Sequence, residues 1–390
     1  MLVVERHHIT GNDTIIRLCL NSRELYNQCN FLMRRAWFGG NPLPDINILT
    51  TAVKNENCFK QLHNTKTAKQ TVRKCLTDWT NFKKALNAWK KDPSKFVKRP
   101  KPPYYKDKLA QVIFYNETIK GGQNKVKQKP NTITPTNDCF GINSQRQYKQ
   151  VILTPKRFGF VVDVQYEQPT QLKSKAKGVC CVDIGLNNLA AITTDQTTTS
   201  ILVNGRICKS INQKFNKHNT KRESQKRYFR LENYFHHVSK FIVTHCLKNG
   251  CGKIIVGKND GWKSRMNLGK KTNQNFQYIP FWRLLEKIKY KAVLAGLEVV
   301  FTEEAYTSQA SFLDRDPLPA YEKGVSHVFS GKRVKRGLYR AANGREVNAD
   351  VNGSCNIGRK VIGNEDLFLR LDKSLAARPV RVNPLKTLCV

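Results

Sequence analysis

Residues 178–195, Gly-Val-Cys-Cys-Val-Asp-Ile-Gly-Leu-Asn-Asn-Leu-Ala-Ala-Ile-Thr-Thr-Asp, constrain the fold more than any other stretch. They read as an apolar strand closed by a carboxylate, a tight Gly-Leu-Asn-Asn turn and a second apolar strand. This sets Asp183 at the exposed end of a buried strand, a costly place for a charge unless something binds there. Far downstream, Asn348-Ala-Asp-Val-Asn-Gly-Ser-Cys-Asn-Ile357 supplies a second isolated acid, Asp350, at the head of a short helix of small residues. Two acids remote in sequence, each beside small residues that let a backbone approach, suit a divalent metal site acting on phosphate.

The chain of 390 residues exceeds one ordinary core, so two or three domains are expected. Its 68 Lys and Arg against 29 Asp and Glu give a formal charge of +39, and self-repulsion on that scale calls for a polyanion. Nucleic acid is the leading candidate, with salt-dependent binding. A basic ribosomal-type protein is the bland alternative, but those are usually shorter and lack a pair of strand-end acids. Basic residues are spread along the chain instead of on one amphipathic helix, against a membrane-surface role. No run of about 18 apolar residues offers a membrane span, and the N-terminus lacks signal-peptide form. The twelve cysteines contain no Cys-x-x-Cys pair, so neither a zinc ribbon nor a disulfide framework is indicated. Most lie in apolar runs and read as small core residues in a reducing compartment.

A short strand opens the chain. Helical patterning runs over about 13–38 and 67–89, where Trp79, Phe82, Leu86 and Trp89 recur at helical spacing and read as core. Residues 90–105 are proline-rich, basic and aromatic. They suit either an extended element tracking a phosphate backbone or a solvated linker. Strand character returns at 111–115, 150–153 and 158–166, followed by a polar linker to residue 177. From Gly178 the expected order is strand (178–183), strand (188–194), strand (200–203), long basic helix (about 210–248), strand (252–257), helix (281–295), strand (297–303), an insertion and a helix (349–362). This α/β order with acids at strand ends matches the RNase H-like fold.

Five segments in this order resemble the TnpB/Fanzor family of transposon-associated RNA-guided nucleases, related to type V CRISPR effectors. They are Val182-Asp-Ile-Gly-Leu-Asn-Asn-Leu-Ala190; Gly261-Trp-Lys263 with Asn273-Gln-Asn-Phe276; Tyr290-Lys-Ala292; Glu304-Ala-Tyr-Thr-Ser308; and Asn348-Ala-Asp-Val-Asn-Gly-Ser354. Phe82-Lys-Lys-Ala85, Pro93-Ser-Lys95 and Arg99-Pro-Lys-Pro102 extend the likeness upstream. The resemblance implies a wedge β-barrel domain (1–20 and 106–172) with an inserted helical recognition domain (21–105). It further implies a RuvC nuclease domain (177–362), with an insertion at 309–347 that has no cysteines, and a tail (363–390).

Asp183 matches the family's first catalytic Asp and Asp350 the third carboxylate. The usual family Glu ends the strand after the long helix, where this chain has Gly257. Glu304 is the natural substitute one strand over, roughly 4.8 Å away, as in Fanzor-like members. Glu303 is the fallback, although strand alternation sends it to the opposite face. The resemblance implies that Asp183, Glu304 and Asp350 hold two Mg²⁺ ions for hydrolysis of DNA phosphodiesters at a guide-complementary target beside a short flanking motif. Ser308 and Asn352 suit either a supporting role there or capping and turn roles.

Related proteins often carry a Cys-x-x-Cys ribbon in the insertion; its lack here implies no zinc. Spacing gives no support to a metal cluster of Asp314, Asp316 and His327. The expected partners are a guide RNA, with one protein chain per guide, and target DNA, but no membrane. Lys95, Lys98, Arg99 and Lys101, and Lys332, Arg333, Lys335 and Arg336 of a basic hairpin, are the candidate nucleic-acid contacts. The last run also reads as a nuclear signal, so the location is a bacterial cytoplasm or nucleoid, or a nucleus. The rivals are an RNA-guided binding protein that does not cut, which Gly257 favours, and a guide-independent resolvase or transposase.

Overall fold

Exposed and half-buried residues alternate along Leu2–Ile9, which forms strand β1, and its partner lies far along the chain. The computed structural model describes residues 1–115, 118–119, 132–135, 138–144, 147–156, 159–218, 220–258, 279–322, 324–335, 337–363, 371 and 378–387. The motif segments Gly261–Lys263 and Asn273–Phe276, and Arg336, lie outside them. The chain divides into two units, Met1–Gln168 and Pro169–Val390.

In the first unit β1, β2 (Val112–Tyr115), β5 (Tyr148–Lys156) and β6 (Gly159–Glu167) form an antiparallel sheet ordered β1-β6-β5-β2. The strands β3 (Thr132–Ile133) and β4 (Ile142–Asn143) pair separately. Between β1 and β2 run helices α1 (Asp13–Phe38), α2 (Ile46–Val53), α3 (Asn57–Lys60) and α4 (Thr65–Lys91). Side chains of Asn12 and Asn64 cap α1 and α4 by accepting from the Ile15 and Thr67 amides at 2.8 and 2.9 Å. The boundary drawn at residues 20/21 thus falls inside α1, which starts as soon as Asn12 caps it. Trp79, Phe82 and Leu86 are buried, and Trp79 donates to Asn30 at 2.8 Å, so that stripe is core.

In the second unit six strands lie in the order β11-β10-β7-β8-β9-β15. They are β7 (Gly178–Asp183), β8 (Asn188–Thr194), β9 (Ile201–Asn204), β10 (Cys251–Lys258), β11 (Glu298–Glu303) and β15 (Val380–Val382). Strand β8 runs antiparallel to β7 and β9, whereas β10 is parallel to both β7 and β11. Along β7, Cys180 and Val182 face one core and Val179 and Cys181 the other. The first core packs against α6 (Lys221–Lys248) and α7 (Phe281–Leu294). Leu284 and Ile288 of α7 are fully buried there, each stabilising by about 1.5–3 kcal/mol. The second core packs against α8 (Ala349–Ile362), which is buried along most of its length.

Two expectations are corrected. The basic helix of 210–248 is two helices, α5 (Arg206–His218) and α6, because Thr220 caps a new start by accepting from the Glu223 amide at 3.2 Å. The tail also belongs to the sheet: β15 runs parallel to β9, and the Val380 amide donates to Ser200 at 2.9 Å. Among the described residues no helix is long and apolar enough to cross a membrane.

Candidate active site

Strand parity decides which acids can meet. On β7 the odd residues face α8, so Asp183 does too, and a Cβ on Gly353 of α8 would lie 2.8 Å from its Oδ2. On β10, Ile254 and Val256 face away, which turns Gly257 toward α8. On β11, Val299 and Phe301 face away, so the same side is taken by residues 300, 302 and 304. Glu304 follows the end of this strand and sends its carboxylate over Gly257, whose Cβ would lie 2.6 Å from Oε1.

A pinned turn fixes Glu304. Its carbonyl accepts from the Thr307 amide at 3.2 Å and hydroxyl at 2.9 Å, while Tyr306 holds the left-handed conformation at φ 61°. Buried Asn352 and Asn356 of α8 hold the turn's far side: each donates to Ala310, at 2.9 and 2.8 Å, and Asn356 also to Thr307 at 3.0 Å. Asn352 therefore positions the turn from behind, and Ser308 is exposed.

Asp350 sits in the first turn of α8, where Asn348 accepts from its amide at 3.0 Å. Its Oδ2 accepts from Asn188 at 2.6 Å and its Oδ1 from Arg333 Nη2 at 3.2 Å. Sequence reasoning singled out neither contact. Arg333 stood among nucleic-acid candidates, and Asn188 was one turn residue among several; its signal was adjacency to Asp183 across a tight antiparallel turn.

Burial, then the charges of Glu304 and Asp350, push the Asp183 carboxyl well above the usual range for an aspartate, with Arg333 opposing. Lys360 of α8 lies close enough to feel Glu303 and Glu304, which counter the lowering that burial imposes on it. Glu303 is exposed and is not among the charges acting on Asp183. Among the described residues no three His, Cys, Asp or Glu side chains are already drawn together at metal-ligating spacing. The three acids share one end of the sheet, with Asp350 turned toward Asn188 and Arg333.

The other candidates fall apart from this group. Lys332, Arg333 and Lys335 are exposed on β12 (Lys332–Lys335), which pairs with β13 (Leu338–Arg340) and through it with β14 (Glu346–Asn348). Asp316 is buried and accepts from the amides of Ser311 at 2.7 Å and Ser330 at 3.1 Å, and from the Ser330 hydroxyl. Asp314 accepts from the Ala342 amide at 2.8 Å, and the His327 ring packs on Tyr306 at 4.9 Å. Both acids thus serve as backbone caps in the insertion. Lys95, Lys98, Arg99 and Lys101 are exposed in the first unit, where Lys95 pairs with Asp92 at 3.2 Å and Arg99 lies over Trp89 at 5.5 Å.

This sheet order, with α8 across one face and acids ending β7 and opening α8, defines a RuvC-type, RNase H-like fold. Residues 281–357 match the Cas12f1-like TNB domain family. Over 123 residues the chain is 31% identical to the CRISPR-associated endodeoxyribonuclease Cas12f1 of Sulfoacidibacillus thermotolerans, a segment covering 31% of this chain and 25% of that protein. Two solved structures share the fold. The Cas12f1–sgRNA–target DNA complex has a TM-score of 0.50 at 11% identity, covering 88% of this chain and 82% of that one. The mini-RNA-guided endonuclease CRISPR-Cas_phi3 has a TM-score of 0.53 at 9% identity, covering 94% and 93%. The chain is thus similar to compact type V effectors, in sequence over these segments and in fold over most of its length.

Proposed function

We propose that this chain is a guide-RNA-dependent DNA endonuclease whose hydrolytic site is Asp183, Glu304 and Asp350. The observation that carries the reading is the desolvated Asp183 carboxylate facing two further acids from different elements. Like charges directed to one end of a sheet, with Asp183 desolvated, are repulsive by themselves and call for a cation. The donors are all carboxylate oxygens, which fit a hard divalent ion such as Mg²⁺. The three acids would hold it, and it would supply an activated water and charge neutralisation at the leaving 3′-oxygen.

The remaining residues position and neutralise. Asn188 and the Asn348 cap orient Asp350. Arg333 balances Asp350 and, with a side chain 46% exposed, can turn to a phosphate that arrives there. Lys332 and Lys335 flank it on the same strand as further phosphate contacts. Support for a guide RNA and target DNA as partners comes from the +39 charge, the partial sequence similarity to Cas12f1, and the composition of the Cas12f1 complex that shares the fold. Sequence choice would then rest on base pairing.

A second reading, an RNA-guided binding protein that does not cut, is favoured by Gly257 in the usual Glu position and by the absence of a preformed ligating cluster among the described residues. The deciding experiment purifies the protein with co-expressed guide RNA and incubates it with matched target DNA in Mg²⁺ or EDTA. Mg²⁺-dependent cutting that Asp183→Ala abolishes, with target binding retained, supports the endonuclease. Retained binding without cutting supports the second reading, and purification free of RNA overturns both.

A further inference from the structure

The proline-rich stretch is held along one stripe of α1. Arg23, Asn27, Asn30 and Arg34 recur at three- and four-residue steps, so they share a face of the helix. Arg34 Nη1 donates to the Pro103 carbonyl at 2.8 Å, and Asn30 reaches the same oxygen at 3.3 Å. Asn27 takes both backbone groups of Lys106, accepting from its amide at 2.8 Å and donating to its carbonyl at 2.9 Å. Arg23 adds a longer contact to the Asp107 carbonyl at 3.5 Å. Pro100, Pro102 and Pro103 have no amide to satisfy, so a helix face that mostly donates is a matched partner for this segment.

This clamp places three large rings around one cation. The guanidinium carbon of Arg34 lies 5.2, 5.7 and 5.5 Å from the ring centroids of Phe38, Tyr104 and Tyr105. The rings are nonetheless 66%, 78% and 44% exposed. Phe31, two turns before Phe38 on the same side of α1, is 53% exposed. Rings left in water contribute little to the fold, while a contiguous exposed patch of this kind marks an interaction site. The Arg34 and Asn27 anchors hold the backbone on both sides of Tyr104 and Tyr105 in advance, which lowers the ordering cost of binding a flat ring. The rim is cationic: Arg35, Lys98, Lys101 and Lys108 are all exposed on the same two segments. Aromatic and guanidinium faces within a basic rim are the chemistry that grips nucleobases and the phosphates joining them.

We propose that Phe38, Tyr104 and Tyr105 around Arg34 form a stacking platform for unpaired bases of a nucleic-acid strand, with Lys98, Lys101 and Lys108 on its phosphates. This rests on the nucleic-acid reading above but is independent of cleavage.

The test measures fluorescence anisotropy of the full chain with a short single-stranded thymidine oligomer and with an abasic strand of equal length, over a salt series. The variants are Phe38→Leu/Tyr104→Leu and Lys98→Gln/Lys101→Gln. The wild type should prefer the base-bearing strand by about 5- to 150-fold for each base stacked. The double leucine variant, at exposed positions, should keep its melting temperature and salt slope while losing that preference. The double glutamine variant should keep the preference and flatten the slope. Equal wild-type affinity for both strands would leave the face for a protein partner and overturn the platform alone, as would a leucine variant that retains the preference. Failure of the wild type to bind either strand overturns the nucleic-acid reading with it.

Discussion

Glu304 occupies the space that a side chain on Gly257 would need: a Cβ there would come within 2.6 Å of Glu304 Oε1 and 2.8 Å of its Cγ. The glycine and the glutamate are therefore mutually dependent. A carboxylate from β10 and one from the end of β11 compete for the same space, and Glu304 must shift if residue 257 gains a side chain.

The first consequence is an asymmetry between adjacent acids. Glu304→Gln keeps the shape and removes the charge beside Asp183, so Mg²⁺-dependent cleavage should fall by at least about 100-fold, since even groups behind metal ligands cost 10–100-fold. Glu303→Gln should stay within about threefold of wild type, because Glu303 is exposed and does not act on Asp183. Single-turnover cleavage rates of the two variants check this, and equal losses would dismiss the assignment of Glu304.

The second concerns Gly257 itself. Gly257→Ala drives a methyl against both Glu304 and Ile357 Cδ1, which also lies 2.6 Å from the Cβ position. Overpacking of this kind costs about 1–3 kcal/mol and should displace the carboxylate, lowering cleavage about 10- to 100-fold. Because the two side chains compete for one space, Gly257→Glu combined with Glu304→Ala should cut at least about tenfold faster than Glu304→Ala alone. A double variant no faster than the single one would show that the site is not interchangeable between the strands.

Stability without metal should move in the opposite direction from activity. The Asp183 carboxyl is raised above its ordinary 3.8, so the folded state holds its proton more tightly than the unfolded state. Metal-free stability should then fall as pH rises above 3.8 through the raised value, and at neutral pH the charged site is a net penalty. Asp183→Asn removes it and should raise the melting temperature in EDTA by about 2–4 °C, on the order of 1 kcal/mol. The same variant should lose the stabilisation that Mg²⁺ gives the wild type. Thermal melts across pH, with and without Mg²⁺, make the measurement.

Replacing Lys95, Lys98, Arg99 and Lys101 together with Gln should weaken nucleic-acid binding and flatten the log–log salt slope by roughly 3 units. Four free contacts would give more, but Lys95 already shares its charge with Asp92 at 3.2 Å. Titrations at several salt concentrations read the slope, and an unchanged value would remove this segment from the interface.

Much of the second unit was legible because its signals are local. Short apolar runs mark β7 and β8, the Gly-Leu-Asn-Asn turn joins them, and Asn348 announces the start of α8. The three-residue β15 carries no periodicity to detect, so its pairing with β9 depends on a sheet edge built from residues almost two hundred positions earlier. Thr220 is a cap only once the chain bends there, and within a basic helical pattern it looks like one more polar residue. Asp350 could be picked out as an acid beside small residues, but its grip by Arg333 joins a helix to a hairpin that the sequence only described as basic. Asp316 shows the same limit, since an acid that caps buried amides and one that binds an ion look alike until their neighbours are known.

The late position of α8 has a consequence for synthesis. Chains emerge from the ribosome N-terminus first, and early elements can begin to fold before later ones exist. The acids of this site come from residues 183, 304 and 350, and α8 wedges between the sheet and the insertion, so a growing chain holds Asp183 long before its neighbours arrive. Strand β15 then closes the β9 edge last of all. A nascent polypeptide of this kind can present basic surface well before the three acids of the candidate site have been brought to one end of the sheet.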